Sequence, residues 1–216
     1  MQQETKIQVK EGHYAKRSYN SLERFISYHY QIDSVLRAKE IESVIEIGAG
    51  NGIVAGYLSD IGIHVTTCDF DQRVKPDIVA DIRNIPVPDK SYDAVLAFQV
   101  LEHIPFEDFV NALPELARIS KKYVIISLPY RSSYFELILK FPGIRTLFKR
   151  NFFDLSLRFP IAFKGFDTSG QHHWEIDRKK FSLGKVRKAL EQRFSIKEEF
   201  SPLLNKFHYF FILEVK

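Results

Sequence analysis

The segment that most constrains this chain is Ser43-Val-Ile-Glu-Ile47, a short β-branched apolar run that passes directly into Gly48-Ala-Gly-Asn-Gly52. Apolar residues then recur through 53–61 as in a short helix. Strand, glycine turn and helix, in that order, open a βαβ unit. The pattern continues downstream. Apolar runs at 64–68 and 78–80 end at Asp69 and Asp81, and Pro86 and Pro88 mark a loop before a fourth strand at Tyr92–Phe98. Phe106–Ile119 has helical spacing, and 123–128 is a strand closed by Pro129. Strands alternating with helices predict a parallel sheet with right-handed crossovers.

The two ends of the chain depart from this alternation. Tyr14, Leu22, Phe25, Tyr28, Ile32 and Leu36 predict a helix over 14–38, within an N-terminal helical segment of 1–40. At the other end a helix over 181–194 precedes two strands, Phe194–Phe200 and 207–215. The short turn between those strands makes them an antiparallel pair. Residues 131–180 fit no simple βα pattern and read as an irregular insertion or lid before the last helix. The expected fold class is α/β: one doubly wound domain over 1–216, a length that suits a single core.

The glycine turn is where chemistry enters. Glycines at 48, 50 and 52 allow positive φ and close approach of a ligand to the backbone, and the following helix presents free N–H groups. Asp69 lies 21 residues after Gly48 at a strand end, where a dinucleotide fold places an acid on ribose hydroxyls. A nicotinamide or flavin fingerprint is G-x-G-x-x-G, yet its third glycine position is Ile53 here, with glycine one residue early at Gly52. Glu46, two residues before the first glycine, would repel a pyrophosphate but suits an ammonium. S-adenosylmethionine (SAM) carries a carboxylate, an ammonium and a ribose without phosphates, and the pattern fits it better.

The residues Val44-Ile-Glu-Ile-Gly-Ala-Gly-Asn-Gly52, Cys68-Asp-Phe70, Asp81-Ile82, Ser91-Tyr-Asp-Ala-Val95 and Phe98-Gln-Val-Leu-Glu-His-Ile104 together resemble the class I SAM-dependent methyltransferases over about 40–130. The resemblance implies a Rossmann-like seven-stranded sheet ordered 3-2-1-4-5-7-6 with strand 7 antiparallel, and SAM as methyl donor with S-adenosylhomocysteine as product. It puts the methionine part on Glu46 and the loop of Gly48, Ala49, Gly50 and Gly52, and the ribose on Asp69. Phe70 would pack on the adenine, Asp81 would accept from its amino group, Ile82 would add backbone and apolar contacts, and Gln99 would lie beside the sulfonium. A binding module without activity and a nicotinamide-dependent oxidoreductase are the rival readings.

Other residues keep two readings. Asp93 reads as a structural residue at a strand start, and Glu102 as a cap for the next helix. His103 either caps that helix or faces the acceptor. His172 and His173, in Gly170-Gln-His-His-Trp-Glu175, either sit in a polar turn or supply a general base, as His103 would for a hydroxyl acceptor. No H-E-x-x-H occurs, and one cysteine, Cys68, leaves no thiolate cluster or internal disulfide, so no metal is expected.

Charge is uneven. Residues 1–130 hold 14 Lys/Arg against 18 Asp/Glu, whereas 131–193 hold 14 against 6. Residues 131–167 also carry 8 of the 19 phenylalanines, with Arg145, Lys149, Arg150, Arg158 and Lys164 among them. That insertion could cover an acceptor pocket, touch a membrane peripherally, or be plain structure. Phe and Leu interleave the basic residues too densely for nucleic acid. The expected acceptor is a small or amphiphilic molecule, sugar-containing or lipid-like. With no apolar leader segment, a cytoplasmic location is the default expectation.

Overall fold

The computed structural model describes residue 14 and residues 19–159, 172–178 and 180–216. Its centre is a seven-stranded sheet built from β1 (Ser43–Ile47), β2 (His64–Asp69), β3 (Ile78–Val79), β4 (Tyr92–Phe98), β5 (Ser120–Pro129), β8 (Phe194–Phe200) and β9 (His208–Val215). The order is β3-β2-β1-β4-β5-β9-β8. The first five strands are mutually parallel, and β9 runs antiparallel to both β5 and β8. The expected 3-2-1-4-5-7-6 order is therefore found, with two additional strands inserted before the last pair.

The central strands are apolar at nearly every position because both faces of the sheet are covered. Val44, Leu96 and Ile125 pack on one side with Tyr28 and Val35 of α1 (Leu22–Arg37) and Val54 and Leu58 of α2 (Ile53–Asp60). Ile45, Val95 and Ile126 pack on the other with Phe109 and Leu116 of α3 (Phe106–Ile119) and Val186 and Leu190 of α5 (Leu183–Leu190). Cys68 is a buried core residue. Asp93 is structural: Oδ2 accepts from Glu42 N at 3.1 Å and from Ser43 N and Oγ at 2.8 Å, and Lys121 pairs with Oδ1 at 2.8 Å. Burial alone would raise its carboxyl, but these donors hold it at about 2.

Two expectations are corrected. Helix α1 begins at Leu22 rather than 14, because the Ser21 side chain accepts from Arg24 N and caps it. Tyr14 and Tyr19 lie outside that helix. The insertion is not irregular: β6 (Ser133–Leu139) and β7 (Phe153–Phe159) form an antiparallel pair joined through α4 (Ile144–Phe148). The expectations for 160–171, which include Phe163, Lys164 and Phe166, lie outside the described residues.

The hairpin has an inverted face pattern. Phe135 opposes Leu157, Leu137 opposes Leu155, and Leu139 opposes Phe153, so all six share one face. Of these, Phe135, Leu137, Leu139, Leu155 and Leu157 are exposed. The opposite face is tied to the body. Lys206 pairs with Glu136 at 3.0 Å, Arg158 donates to Ser132 Oγ and Lys206 O at 2.6 Å, and its guanidinium stacks 4.0 Å from the Tyr130 ring centre.

Candidate active site

At the carboxyl ends of the parallel strands the turn after β1 opens a cavity of about 250 Å³. Ligands of doubly wound sheets bind in such a crevice. Gly48 has φ +75°, and a Cβ there would come within 2.3 Å of Val100 Cγ2, so only glycine fits. Gly50, at φ +57°, lies under the Tyr14 ring. Gly52 N donates to Ala49 O at 2.9 Å and closes the turn, leaving α2 with no side-chain cap. Instead Ile53 N donates to Asn51 Oδ1 at 3.3 Å and the Ala55 N–H is turned to Glu46, so the first turn of α2 is held by its neighbours.

Six of the residues expected to hold a cofactor line the cavity: Gly48, Asp69, Phe70, Asp81, Ile82 and Gln99. Ala49, Gly50 and Gly52 form the turn at its edge. Glu46 lies beneath on β1, 4% exposed. Burial pushes its carboxyl up to about 8, opposed by a hydrogen bond from the Ala55 backbone, and Oε2 has no partner among the described residues. A cation arriving beside this buried carboxyl would favour its ionised form and give the orphan oxygen a partner.

Asp69 ends β2, with Oδ1 accepting from Asp71 N at 2.9 Å; burial raises its pKa. Phe70 beside it is 39% exposed and lines the cavity. Both oxygens of Asp81 are engaged by Arg83, at 2.8 and 2.7 Å, and Arg83 also reaches Asp108 at 2.9 Å. Gln99 sits at φ +56°, with Nε2 donating to Ser127 Oγ at 3.2 Å.

The far wall carries the titratable groups. Glu102 does not cap a helix, as the sequence suggested. Its side chain turns inward, 0% exposed, and neither carboxylate oxygen has a hydrogen-bond partner among the described residues. Burial pushes it up to about 7, against the pull of His172. The His103 and His172 rings meet edge to face at 4.9 Å, and His172 Nδ1 is 2.8 Å from Glu175 Oε1. Burial would lower the His172 pKa, but Glu175 and Glu102 raise it overall. His173 is exposed and does not line the cavity; only its backbone N–H points inward, to Glu102 O at 2.9 Å. Trp174 anchors this segment, fully buried, with Nε1 donating to Ile104 O at 3.1 Å.

The sequence reading missed four lining residues, Tyr14, Tyr19, Arg24 and His208. Tyr14 and Tyr19 pack edge to face at 5.2 Å, and Arg24 lies 4.4 Å over the Tyr19 ring centre. His208 also lines the cavity; burial drives it down to about 3, so it is a neutral partner of Ser27 Oγ. No local signal marks these residues, because they reach the cavity from the two ends of the chain.

Residues 45–128 match the family model of the methyltransferase domain, which spans the glycine turn, Asp69, Asp81 and the 98–104 segment. That match takes in the first five strands of the sheet, the part of the chain that builds the glycine turn and the strand-end acids. A probable SAM-dependent methyltransferase of Mycolicibacterium smegmatis is 35% identical over a stretch covering 28% of this chain and 28% of that protein. A demethylmenaquinone methyltransferase of Beutenbergia cavernae is 30% identical over 40% of this chain and 39% of its own length. This chain thus spans well under half of the curated relatives it matches. Across the whole fold, magnesium protoporphyrin IX methyltransferase from Synechocystis, solved with bound S-adenosylhomocysteine, superposes with a TM-score of 0.59. It is 16% identical, covering 94% of this chain and 93% of that one, and the two share a fold.

Proposed function

We propose that this chain transfers a methyl group from SAM to a small or amphiphilic acceptor. The observation that carries the reading is Glu46: a buried acid with an unpartnered oxygen beneath a glycine turn suits the ammonium of an amino acid and opposes a pyrophosphate. In this reading Asp69 accepts from the ribose hydroxyls and Phe70 covers the adenine, with Ile82 beside it. Arg24, stacked over Tyr19 and close to the glycine turn, is a cation for the carboxylate; Tyr14 closes the turn from above. Arg83 already occupies Asp81, so Asp81 shapes the adenine end through an ion pair as well as by accepting. SAM supplies a methyl already activated by its sulfonium, so the protein's contribution is to position the acceptor and exclude water. For a hydroxyl acceptor, His172 and His103 are the side chains placed to take the proton; His173 stands outside the cavity.

Calorimetric titration with S-adenosylhomocysteine tests this. An ammonium beside Glu46 favours its ionised form, so binding at pH 7 releases a proton. The observed enthalpy then varies with the ionisation enthalpy of the buffer, and Glu46→Gln abolishes that dependence. The sign follows from the raised pKa. In the free protein the neutral acid contributes stability below its unfolded value of 4.5, and that contribution is lost as pH rises through about 8. Tight NADH binding, or no binding of S-adenosylhomocysteine, would reject the methyltransferase reading.

A second reading concerns where the acceptor comes from. The exposed apolar face of the β6–β7 hairpin, with Lys140, Arg145, Lys149 and Arg150 around its Phe141, Leu147 and Phe148 tip, suits an anionic membrane surface. No helix among the described residues is long and apolar enough to cross a membrane, so contact would be peripheral. We expect co-sedimentation with phosphatidylglycerol vesicles and not with phosphatidylcholine alone. Leu147→Glu with Phe148→Glu should weaken it at least about tenfold, by removing roughly 1.5–3 kcal/mol per buried side chain, while leaving S-adenosylhomocysteine affinity unchanged. A stable dimer that ignores vesicles would put a second copy on this face instead.

A further inference from the structure

Glu102 poses a physical problem that the cofactor does not solve. A fully buried carboxylate with both oxygens unpartnered among the described residues is costly, whether ionised or neutral. His103 and His172 stand close to it, and one ligand atom from each of the three lies within 4.8 Å of the others. All three line the cavity.

We propose that Glu102, His103 and His172 hold a divalent transition-metal ion on the acceptor side of the cavity. Two imidazoles and a carboxylate form a donor set suited to such ions, Zn²⁺ among them, and leave coordination positions for water or substrate oxygen. The surroundings are organised in the same sense. Glu175 holds His172 Nδ1 at 2.8 Å, which leaves Nε2 as the nitrogen for a ligand, and Arg131 approaches Glu175 at 3.5 Å. A carboxylate on the far nitrogen fixes tautomer and ring orientation in metal sites. Metal–ligand bonds of about 2.0–2.2 Å put neighbouring ligand atoms roughly 3.4 Å apart, so the three side chains close in by about 1 Å on binding. The ion would then present an acceptor oxygen beside the methyl donor and lower the pKa of an acceptor hydroxyl. This role replaces proton abstraction by His103 or His172, whose ligand nitrogens the ion would occupy. That catalytic use rests on the methyltransferase reading, whereas metal binding itself does not.

The test uses the chelator-stripped protein and the metal alone. Zn²⁺ titration should show one equivalent bound, and Co²⁺ should develop the visible absorption of nitrogen and oxygen coordination. Glu102→Gln and His172→Ala should each weaken Zn²⁺ binding by about 100-fold, and Glu175→Gln by about 10-fold. His173→Ala, one residue away but exposed, should leave it unchanged. If the ligand variants fail to fold, the wild-type Co²⁺ spectrum decides, since added S-adenosylhomocysteine should perturb a site in the same cavity. No stoichiometric Zn²⁺ or Co²⁺ binding, or binding indifferent to folded Glu102→Gln and His172→Ala, overturns the proposal. Retained S-adenosylhomocysteine binding in that case leaves the methyltransferase reading intact and rejects only the metal.

Discussion

Asp69→Ala should weaken S-adenosylhomocysteine binding by about 100-fold, with little change in thermal stability. A hydrogen bond to a charged acceptor contributes about 1.5–3 kcal/mol, and every 1.4 kcal/mol is about tenfold in affinity. A carboxylate facing two vicinal hydroxyls therefore accounts for two orders of magnitude, while Asp69→Asn, which keeps the shape and loses the charge, should cost about tenfold. Stability changes little because burial raises the Asp69 pKa: the ionised form is held at some cost, and removing it offsets the lost bond to Asp71 N. Titration calorimetry on both variants measures this. Unchanged affinity in Asp69→Ala would make Asp69 a turn residue and move the ribose elsewhere in the cavity.

Trp174→Ala should destabilise the protein by about 4 kcal/mol, the range for deleting a buried large aromatic. In a chain of this size that is a fall in Tm of roughly 8–16 °C. Trp174 is fully buried and packs within 5.0 Å of the Phe106 ring centre and 4.9 Å of Phe109. Its loss also orphans Ile104 O, the acceptor of its indole N–H. Trp174→Phe should recover most of the packing and none of that bond, costing about 1–3 kcal/mol. Because Trp174 lies between His172 and Glu175, the alanine variant should lose the order of the cavity's far wall too. Thermal denaturation reads the stability. A loss under 1 kcal/mol would mean that residues 172–178 are not docked on α3 as described.

The glycine turn, Glu46, Asp69 and Asp81 were legible in the sequence because each is a local event. A strand must end, a turn must adopt positive φ, and an acid at a strand end follows within a few residues. Parallel βαβ connections then bring those strand ends to one edge of the sheet with no further information. The short turn at 201–206 likewise announced the antiparallel pair of β8 and β9. Even the hairpin had a readable half: Phe153-Asp-Leu-Ser-Leu-Arg-Phe159 alternates strictly, and only the unpatterned partner Ser133–Leu139 concealed it.

Glu102 shows the limit of that reading. By spacing it stands where a helix cap belongs, and capping was the local expectation. In the structure Trp174 docks against α3, brings His172 across an interval of 69 or more residues to His103, and closes the wall over a carboxylate that now lacks partners. Tyr14 and Arg24 reach the glycine turn in the same long-range way, and Lys206 and Tyr130 draw the polar face of the hairpin inward so that its leucines face out. The sequence by itself determined the parallel sheet and the strand-end acids, since periodicity and turn chemistry are properties of neighbouring residues. Only the tertiary structure decided which distant side chains share the far wall, since packing and desolvation act between residues that sequence distance does not relate.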